Sequence, residues 1–165
     1  MVAAADMLLV GSPALEMSEG MPLDTGAIIV LKYQEGQWIV DQALVPNPQQ
    51  FETSPFFGTV MEIADTQLSG RFLLAGMPEA NTVAVYRYTE DSWGLSGYMT
   101  HDEMEGYGCA IASDGDDVAI AYGVAGYFND EWSPTAQFGV HVGVLDMSVD
   151  SRPLLRSVSL SFSSV

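Results

Sequence analysis

A pattern that recurs along the chain constrains its fold more than any other feature. Residues 26–38 read GAIIVLKYQEGQW, and residues 81–93 read NTVAVYRYTEDSW. Each segment is rich in β-branched and aromatic residues, passes through a short polar link and ends on a tryptophan, Trp38 or Trp93. This pattern predicts a β-hairpin in both places. Self-similarity at a spacing of about 50 residues is typical of chains that stack copies of one supersecondary unit.

A short apolar strand also recurs, at residues 6–11, 71–76 and 117–122. Each copy has one charged residue followed by four apolar residues, which is typical of a strand buried on both faces. Aligned on the charged residue, the copies predict that Leu8, Leu73 and Ala119 occupy equivalent core sites. The repeated tryptophans lead to the same prediction for Trp38 and Trp93, which we expect to pack between neighbouring units.

Two aromatic-glycine steps, Phe57-Gly58 and Tyr107-Gly108, each open a further apolar segment. With these segments, one complete copy of the repeat contains four short strands. The sequence therefore predicts an all-β fold made of four-stranded antiparallel blades of a partial β-propeller. A β-sandwich of two packed sheets has similar short alternating strands and is the alternative.

The copies divide the chain within one repeat region, residues 1–165. We expect an incomplete first blade at about residues 1–50, which lacks its opening strand, a full blade at 51–100, and a third at 101–165 with an insertion at 123–136. Closed propellers have typically 4–8 blades. Three blades therefore predict an incomplete ring with an open apolar face, either within a longer chain or within an oligomer.

The order of these motifs resembles the FG-GAP repeat of integrin alpha-chain heads and of many secreted adhesion-type propellers. Phe57-Gly58 and Tyr107-Gly108 match the Phe-Gly step, and Gly11-Ser12-Pro13 and Gly76-Met77-Pro78 match the later Gly-x-Pro step. The resemblance implies a binding or adhesion module in an extracellular or cell-surface location. A protein or a glycan is the ligand that it implies.

Calcium-binding members of that family carry alternating aspartates around a glycine between the first two strands of a blade. The matching turn of the third copy holds Asp114, Asp116 and Asp117, which are the candidate metal ligands. Ca²⁺ takes six to eight oxygen ligands, so three closely spaced carboxylates do not complete its shell. We therefore expect an Asp-Gly hairpin turn without a cofactor, although calcium is the one cofactor that the resemblance suggests.

The chain is strongly acidic, with 22 acidic residues, five basic residues and a formal net charge of −17. Such a surface repels the phosphates of nucleic acids and of anionic lipids, so we expect neither as a partner. No apolar run approaches the length needed to cross a bilayer, which predicts no membrane insertion. The N-terminus does not have the pattern of a signal peptide.

No set of residues in the sequence forms a recognisable catalytic motif. The run His101-Asp102-Glu103-Met104-Glu105 is expected to be a solvated link between two copies. Cys109 and His141 are the residues that would supply a thiol nucleophile and its base, but no spacing brings them together. We therefore predict no catalytic residue and no enzyme activity.

The insertion supplies the candidate ligand-contact residues, Tyr127, Phe128 and Trp132. Insertions in repeat proteins map to loops on one face, which is often the binding face. The sequence thus predicts a non-enzymatic binding module for a protein or a glycan. The alternative is a structural protein whose blades complete a ring, either with other chains in a homo-oligomer or with the rest of a longer chain.

Overall fold

The predicted all-β fold is confirmed. A computed structural model describes residues 1–4, 6–15, 25–47, 56–67, 70–102, 105–123, 127–128, 131–132, 137–146 and 154–163. Apart from a short 3-10 helix at Pro78–Ala80, the regular elements in these ranges are β-strands. No helix in the described part of the chain is long and apolar enough to cross a membrane.

Twelve of the strands form three antiparallel sheets, which we call blades 1, 2 and 3. Blade 1 consists of β1 (Val2–Ala4), β2 (Met7–Ser12), β3 (Ala27–Gln34) and β4 (Gln37–Leu44). Blade 2 consists of β5 (Val60–Thr66), β6 (Gly70–Met77), β7 (Thr82–Thr89) and β8 (Ser92–Thr100). Blade 3 consists of β9 (Ala110–Asp114), β10 (Asp117–Gly123), β13 (Gln137–Asp146) and β14 (Leu154–Ser163). Between β10 and β13, β11 (Tyr127–Phe128) and β12 (Glu131–Trp132) form a separate hairpin.

The expectation that the first blade lacks its opening strand is wrong. β1 pairs antiparallel with β2 through three residues and completes a four-stranded sheet. This strand was missed because three residues are too short for an alternating pattern to stand out. At the other end of the chain, β14 pairs with β13 along its whole length and completes blade 3.

The hairpins that the repeat predicted have matching registers. Tyr33 pairs with Trp38 in blade 1, and Tyr88 pairs with Trp93 in blade 2. Each hairpin also has a β-bulge at the same place, after Val30 in blade 1 and after Val85 in blade 2. A bulge moves the following side chains to the other face, so the two blades present equivalent residues in the same direction.

The alignment of Ala119 with Leu73 is wrong by one residue. Counted from the aromatic-glycine steps, Ile63 of β5 and Ser113 of β9 are equivalent, and they pair with Leu73 and Val118 respectively. Val118 is buried like Leu73, whereas Ala119 is half-buried on the opposite face. Two consecutive acidic residues, Asp116 and Asp117, made the alignment ambiguous. A slip of one residue reverses every side chain of a strand.

Two apolar cores hold the blades together. Between blades 1 and 2, the core includes Met7, Leu9, Ile28 and Val30 from one sheet and Leu73, Ala75, Tyr86 and Trp93 from the other. Between blades 2 and 3, it includes Phe72, Leu74, Val83 and Val85 facing Tyr107, Val118, Ile120 and Tyr122. Blade 2 is therefore covered on both faces, which favours the partial propeller over a sandwich of two sheets. No third core joins blade 3 to blade 1 within the described ranges.

The glycines of the repeated motifs meet where successive blades join. A side chain added at Gly11 would overlap the carbonyl of Gly58, and one added at Gly76 would overlap the carbonyl of Gly108. Gly58 and Gly108 also have positive φ angles, of 89° and 92°. The aromatic-glycine and Gly-x-Pro steps are thus two halves of one close backbone contact between neighbouring blades.

Candidate functional site

One face of blade 1 has no neighbouring sheet in the described structure. Successive side chains of a strand point to opposite faces, and Met7, Leu9, Ile28 and Val30 point into the core shared with blade 2. The opposite face carries Leu8, Val10, Ile29, Leu31, Tyr33, Trp38 and Val40. We call these seven side chains the outward face of blade 1. They are half-buried or exposed, and Tyr33, Trp38 and Val40 are the most exposed of them.

The equivalent face of blade 2 is buried against blade 1. Trp38 is 47% exposed, whereas Trp93, at the same place in the next blade, is 3% exposed. The local geometry of the two sites is nevertheless the same. The Tyr33 and Trp38 rings are 5.3 Å apart with planes tilted by 58°, and the Tyr88 and Trp93 rings are 5.0 Å apart with planes tilted by 52°. Trp93 is buried because a neighbouring sheet packs against its face, whereas no described sheet packs against the face that carries Trp38.

Blade 1 covers blade 2 with polar contacts as well as apolar ones. The Gln42 side chain donates a hydrogen bond of 2.7 Å from Nε2 to the carbonyl of Trp93 and accepts one of 3.0 Å from the Trp93 backbone N–H at Oε1. Lys32 donates from Nζ to the carbonyl of Asp91, at 2.8 Å, and forms an ion pair with Asp41 at 3.1 Å. One blade therefore anchors the outer strand of the next through side-chain contacts to the backbone.

A second group of polar side chains in mutual contact lies at the core between blades 2 and 3. The hydroxyl of buried Tyr107 lies 3.2 Å from Nδ1 of His141. The ring of His101 is 5.8 Å from that of Tyr107 and 6.0 Å from that of His141. We call these three side chains the His–Tyr–His cluster, and it contains both histidines of the chain.

Three separate segments build the His–Tyr–His cluster. His101 follows β8, Tyr107 precedes β9, and His141 lies in β13. Asn81 holds the link between the first two, because its carbonyl accepts from the His101 N–H at 3.1 Å and its Oδ1 accepts from the Gly106 N–H at 2.7 Å. No spacing in the sequence indicated that these segments would meet.

Burial shifts the pKa of two members of the cluster, Tyr107 and His141. It raises the pKa of Tyr107 to about 12, so the hydroxyl keeps its proton at neutral pH. Burial, and then the proximity of His101, lowers the pKa of His141. The interaction between Tyr107 and His141 is therefore between two neutral groups at neutral pH, and it joins the link region to blade 3.

Cys109 and His141, which would have to supply a thiol nucleophile and its base, are not joined by any described contact. His141 contacts the hydroxyl of Tyr107, while Cys109 is an exposed free cysteine. Partial burial of the sulfur raises the pKa of Cys109, which disfavours the thiolate needed for nucleophilic attack. In the link, Asp102 and Glu105 are exposed, and Glu103 and Met104 lie outside the described residues.

The three candidate metal ligands lie at one hairpin. Asp114 ends β9 and pairs with Asp117 of β10 across the turn. Asp116 is in the turn, and its Oδ1 accepts a hydrogen bond of 3.0 Å from the backbone N–H of Gln67 in blade 2. Asp116 therefore joins two blades. In the described ranges no three His, Cys, Asp or Glu side chains are grouped so as to hold a metal ion.

The candidate ligand-contact residues lie in the hairpin of β11 and β12. Its backbone places Tyr127 opposite Trp132 and Phe128 opposite Glu131. The side chains of these residues lie outside the described part of the structure.

Sequence reasoning missed the outward face of blade 1 as a site, since it predicted that Leu8 and Trp38 would be core residues like Leu73 and Trp93, whereas both lie on this face. The available signal was the repeat itself, because a blade buries each of its faces only against a neighbouring blade. The chain matches no protein-family model, and no curated protein matches it. The geometry of the described residues therefore carries the functional argument.

Proposed function

We propose that this chain is a non-enzymatic binding module that docks a protein partner on the outward face of blade 1. The observation that carries the proposal is the difference between Trp38 and Trp93, which are 47% and 3% exposed at equivalent positions. A contiguous apolar face that is open to solvent marks an interaction site. Tryptophan and tyrosine are also the side chains enriched in the centres of protein interfaces.

The contacts between blades 1 and 2 support a protein as the partner. The face equivalent to the docking face is covered there by another β-sheet, with Gln42 bound to the backbone of Trp93. Trp38 pairs with Tyr33 as Trp93 pairs with Tyr88, so we expect its backbone to offer the same donor and acceptor to a partner. A partner that presents a flat apolar surface with a carboxamide side chain reproduces these contacts.

Gly11 contacts Gly58, and Gly76 contacts Gly108. These contacts support the FG-GAP resemblance, because they give both motif steps one structural role. We extend the proposal accordingly to an adhesion-type module at the cell surface or outside the cell. Recovery of the protein from culture medium or from the surface of intact cells is the expected result, and recovery from the cytoplasm alone would contradict this extension.

A glycan is the second candidate ligand. The Tyr33 and Trp38 rings form an exposed pair, and aromatic rings present the flat apolar surfaces on which sugars stack. The rings are tilted by 58° and therefore do not form one plane. A sheet-like protein surface fits the whole seven-residue face, whereas a sugar would use only this pair.

The test compares the wild-type protein with Trp38→Ser in a protein-interaction screen and on a glycan array. We expect protein ligands whose binding falls at least about tenfold in Trp38→Ser, as is typical of a central aromatic contact. Leu95→Ser is the matched control, because Leu95 is also 47% exposed but belongs to blade 2. Glycan binding lost in Trp38→Ser would favour the second candidate, and protein binding unchanged in Trp38→Ser would contradict the proposed site.

A further inference from the structure

We infer that the partner of the outward face of blade 1 is blade 3 of a second copy of this chain. This inference rests on the proposed docking face and names what covers it. The same contact made twice joins two three-bladed chains into one ring. Its basis is the pair of blade interfaces already present, together with a second open face at the other end of the stack.

Blade 3 also has a face that no other sheet covers within the described residues. Val118, Ile120 and Tyr122 point into the core shared with blade 2. By alternation and register, the opposite face carries Ala119 and Ala121 from β10, Ala110 and Ala112 from β9, and Val140, Val142 and Val144 from β13, with Asp114 and Asp117 at the end next to Val144. We call this the outward face of blade 3. Its side chains are half-buried or exposed, and Val142 and Val144 are 39% and 40% exposed.

The two outward faces can pack against each other in the way that neighbouring blades pack within the chain. Each blade has one face toward the preceding blade in the chain, which is its earlier face, and one toward the following blade, which is its later face. In both internal interfaces, the later face of one blade packs against the earlier face of the next blade. The outward face of blade 3 is a later face, and the outward face of blade 1 is an earlier face. Placing the first on the second continues the existing stack through apolar contacts, with Val158 of blade 3 at the register position that Gln42 has in blade 1.

The side chains on the two faces are complementary in size. The alanines and valines in the middle of the blade 3 face are small, while Leu31, Tyr33 and Trp38 on the blade 1 face are large. Large residues facing small ones interdigitate without a void. Two faces like that of blade 1 would instead place aromatic rings against each other.

A contact between two different faces of the same protein either closes into a ring or continues as a filament. Two copies supply six blades, a number inside the range of about 4–8 blades found in closed propellers. A twofold ring also leaves neither outward face exposed. We therefore expect a closed dimer and not an open polymer.

The net charge of −17 opposes this association, because two copies repel each other. Salt screens such repulsion over distances above about 8 Å at physiological ionic strength, while it leaves apolar burial intact. The dimer should therefore form at lower protein concentration as the salt concentration rises. A contact between opposite charges would show the reverse dependence.

Sedimentation velocity across protein and NaCl concentrations tests the inference. We expect the wild-type protein to reach twice the chain mass and stop there, with tighter association at high salt. Trp38→Ser and Val142→Lys, on opposite outward faces, should each raise the dissociation constant about tenfold or more. Val142→Lys also lowers the net negative charge, so lost association in that variant is not caused by repulsion. Leu95→Ser should remain dimeric.

Other outcomes would overturn the inference. Loss of the dimer in Trp38→Ser but not in Val142→Lys would mean that two blade 1 faces pair, and continued growth beyond the dimer would exclude a closed ring. If Val142→Lys does not fold, as judged by circular dichroism, Val144→Ser takes its place. A wild-type monomer under all conditions would refute the second copy as partner. The proposed function would still stand or fall on whether Trp38→Ser loses protein ligands in the interaction screen.

Discussion

Trp38 and Trp93 belong to two blades with the same hairpin, the same bulge and the same tyrosine neighbour, yet only Trp93 is buried. The comparison separates two properties of a side chain that the repeat pattern alone does not distinguish, namely the direction in which it points and whether it is buried. The direction in which a side chain points is set within its own sheet. Its burial depends on whether another sheet packs against it. The exposed copy is the one that contributes to function in this proposal.

Truncation of the two tryptophans is expected to show the largest difference between the blades. Trp93→Ala should lower the free energy of unfolding by about 3–5 kcal/mol, because it leaves a cavity between two sheets. Trp38→Ala should cost less than about 1 kcal/mol at protein concentrations where the chain is monomeric. Urea unfolding measures both values, and equal losses would contradict the assigned difference in burial.

Substitution of the motif glycines tests whether the two blade interfaces are equivalent. Gly11→Ala and Gly76→Ala should each cost about 1–3 kcal/mol, because the added methyl group overlaps a carbonyl of the next blade. Gly94→Ala is the control, since a methyl group at Gly94 meets no atom within 4 Å. Urea unfolding should show Gly94→Ala within about 0.5 kcal/mol of wild type. A tolerated Gly76→Ala would mean that the blades are not in close backbone contact.

Removal of the Gln42 carboxamide should have a smaller effect. Gln42→Ala leaves the backbone N–H and carbonyl of Trp93 without their partner, at a cost of about 1–2 kcal/mol. Gln42→Glu should not restore the loss, because a carboxylate has no N–H to donate to the carbonyl. Gln34→Ala, at an exposed position of β3, serves as the control in urea unfolding. A neutral Gln42→Ala would show that apolar contacts alone join the two outer strands.

The smallest expected effect concerns pH and distinguishes the two internal interfaces. Where blade 3 has His141, blade 2 has Ala84, so only the interface between blades 2 and 3 titrates at this position. The folded pKa of His141 is lowered by burial and then by His101, so the unfolded chain binds the proton more tightly. The contribution of His141 to stability is therefore present above its unfolded pKa of about 6.5 and is lost as the pH falls through the folded pKa.

Urea unfolding of wild type and His141→Gln at several pH values between 7.5 and 5 measures this contribution. The wild-type protein should lose more stability than the variant as the pH falls. Carboxylates titrate in both proteins, so the difference between them isolates His141. Identical pH profiles would show that the packing around His141 does not affect its protonation.

The sequence predicted much of the fold and little of the site. Alternating residues ending at Trp38 and Trp93 located two hairpins correctly, and the aromatic-glycine steps located the entry to two blades. β1 was missed because three residues show no period. Ala119 was aligned to the wrong face because two acidic residues stand before β10. The His–Tyr–His cluster was unpredictable, because β9 and β10 separate His141 from the link that carries His101 and Tyr107.

Local sequence alone determined that the chain forms short antiparallel strands, where the turns of its two repeated hairpins lie, and that residues alternate between the two faces of each strand. These properties follow from backbone sterics and the two-residue period of a strand, which act over a few neighbouring residues. Tertiary structure decided which faces are buried, which side chains from distant segments meet, and that Gln42 binds the next blade. These depend on contacts between sheets, so the same apolar pattern is a core in blade 2 and an open surface in blade 1.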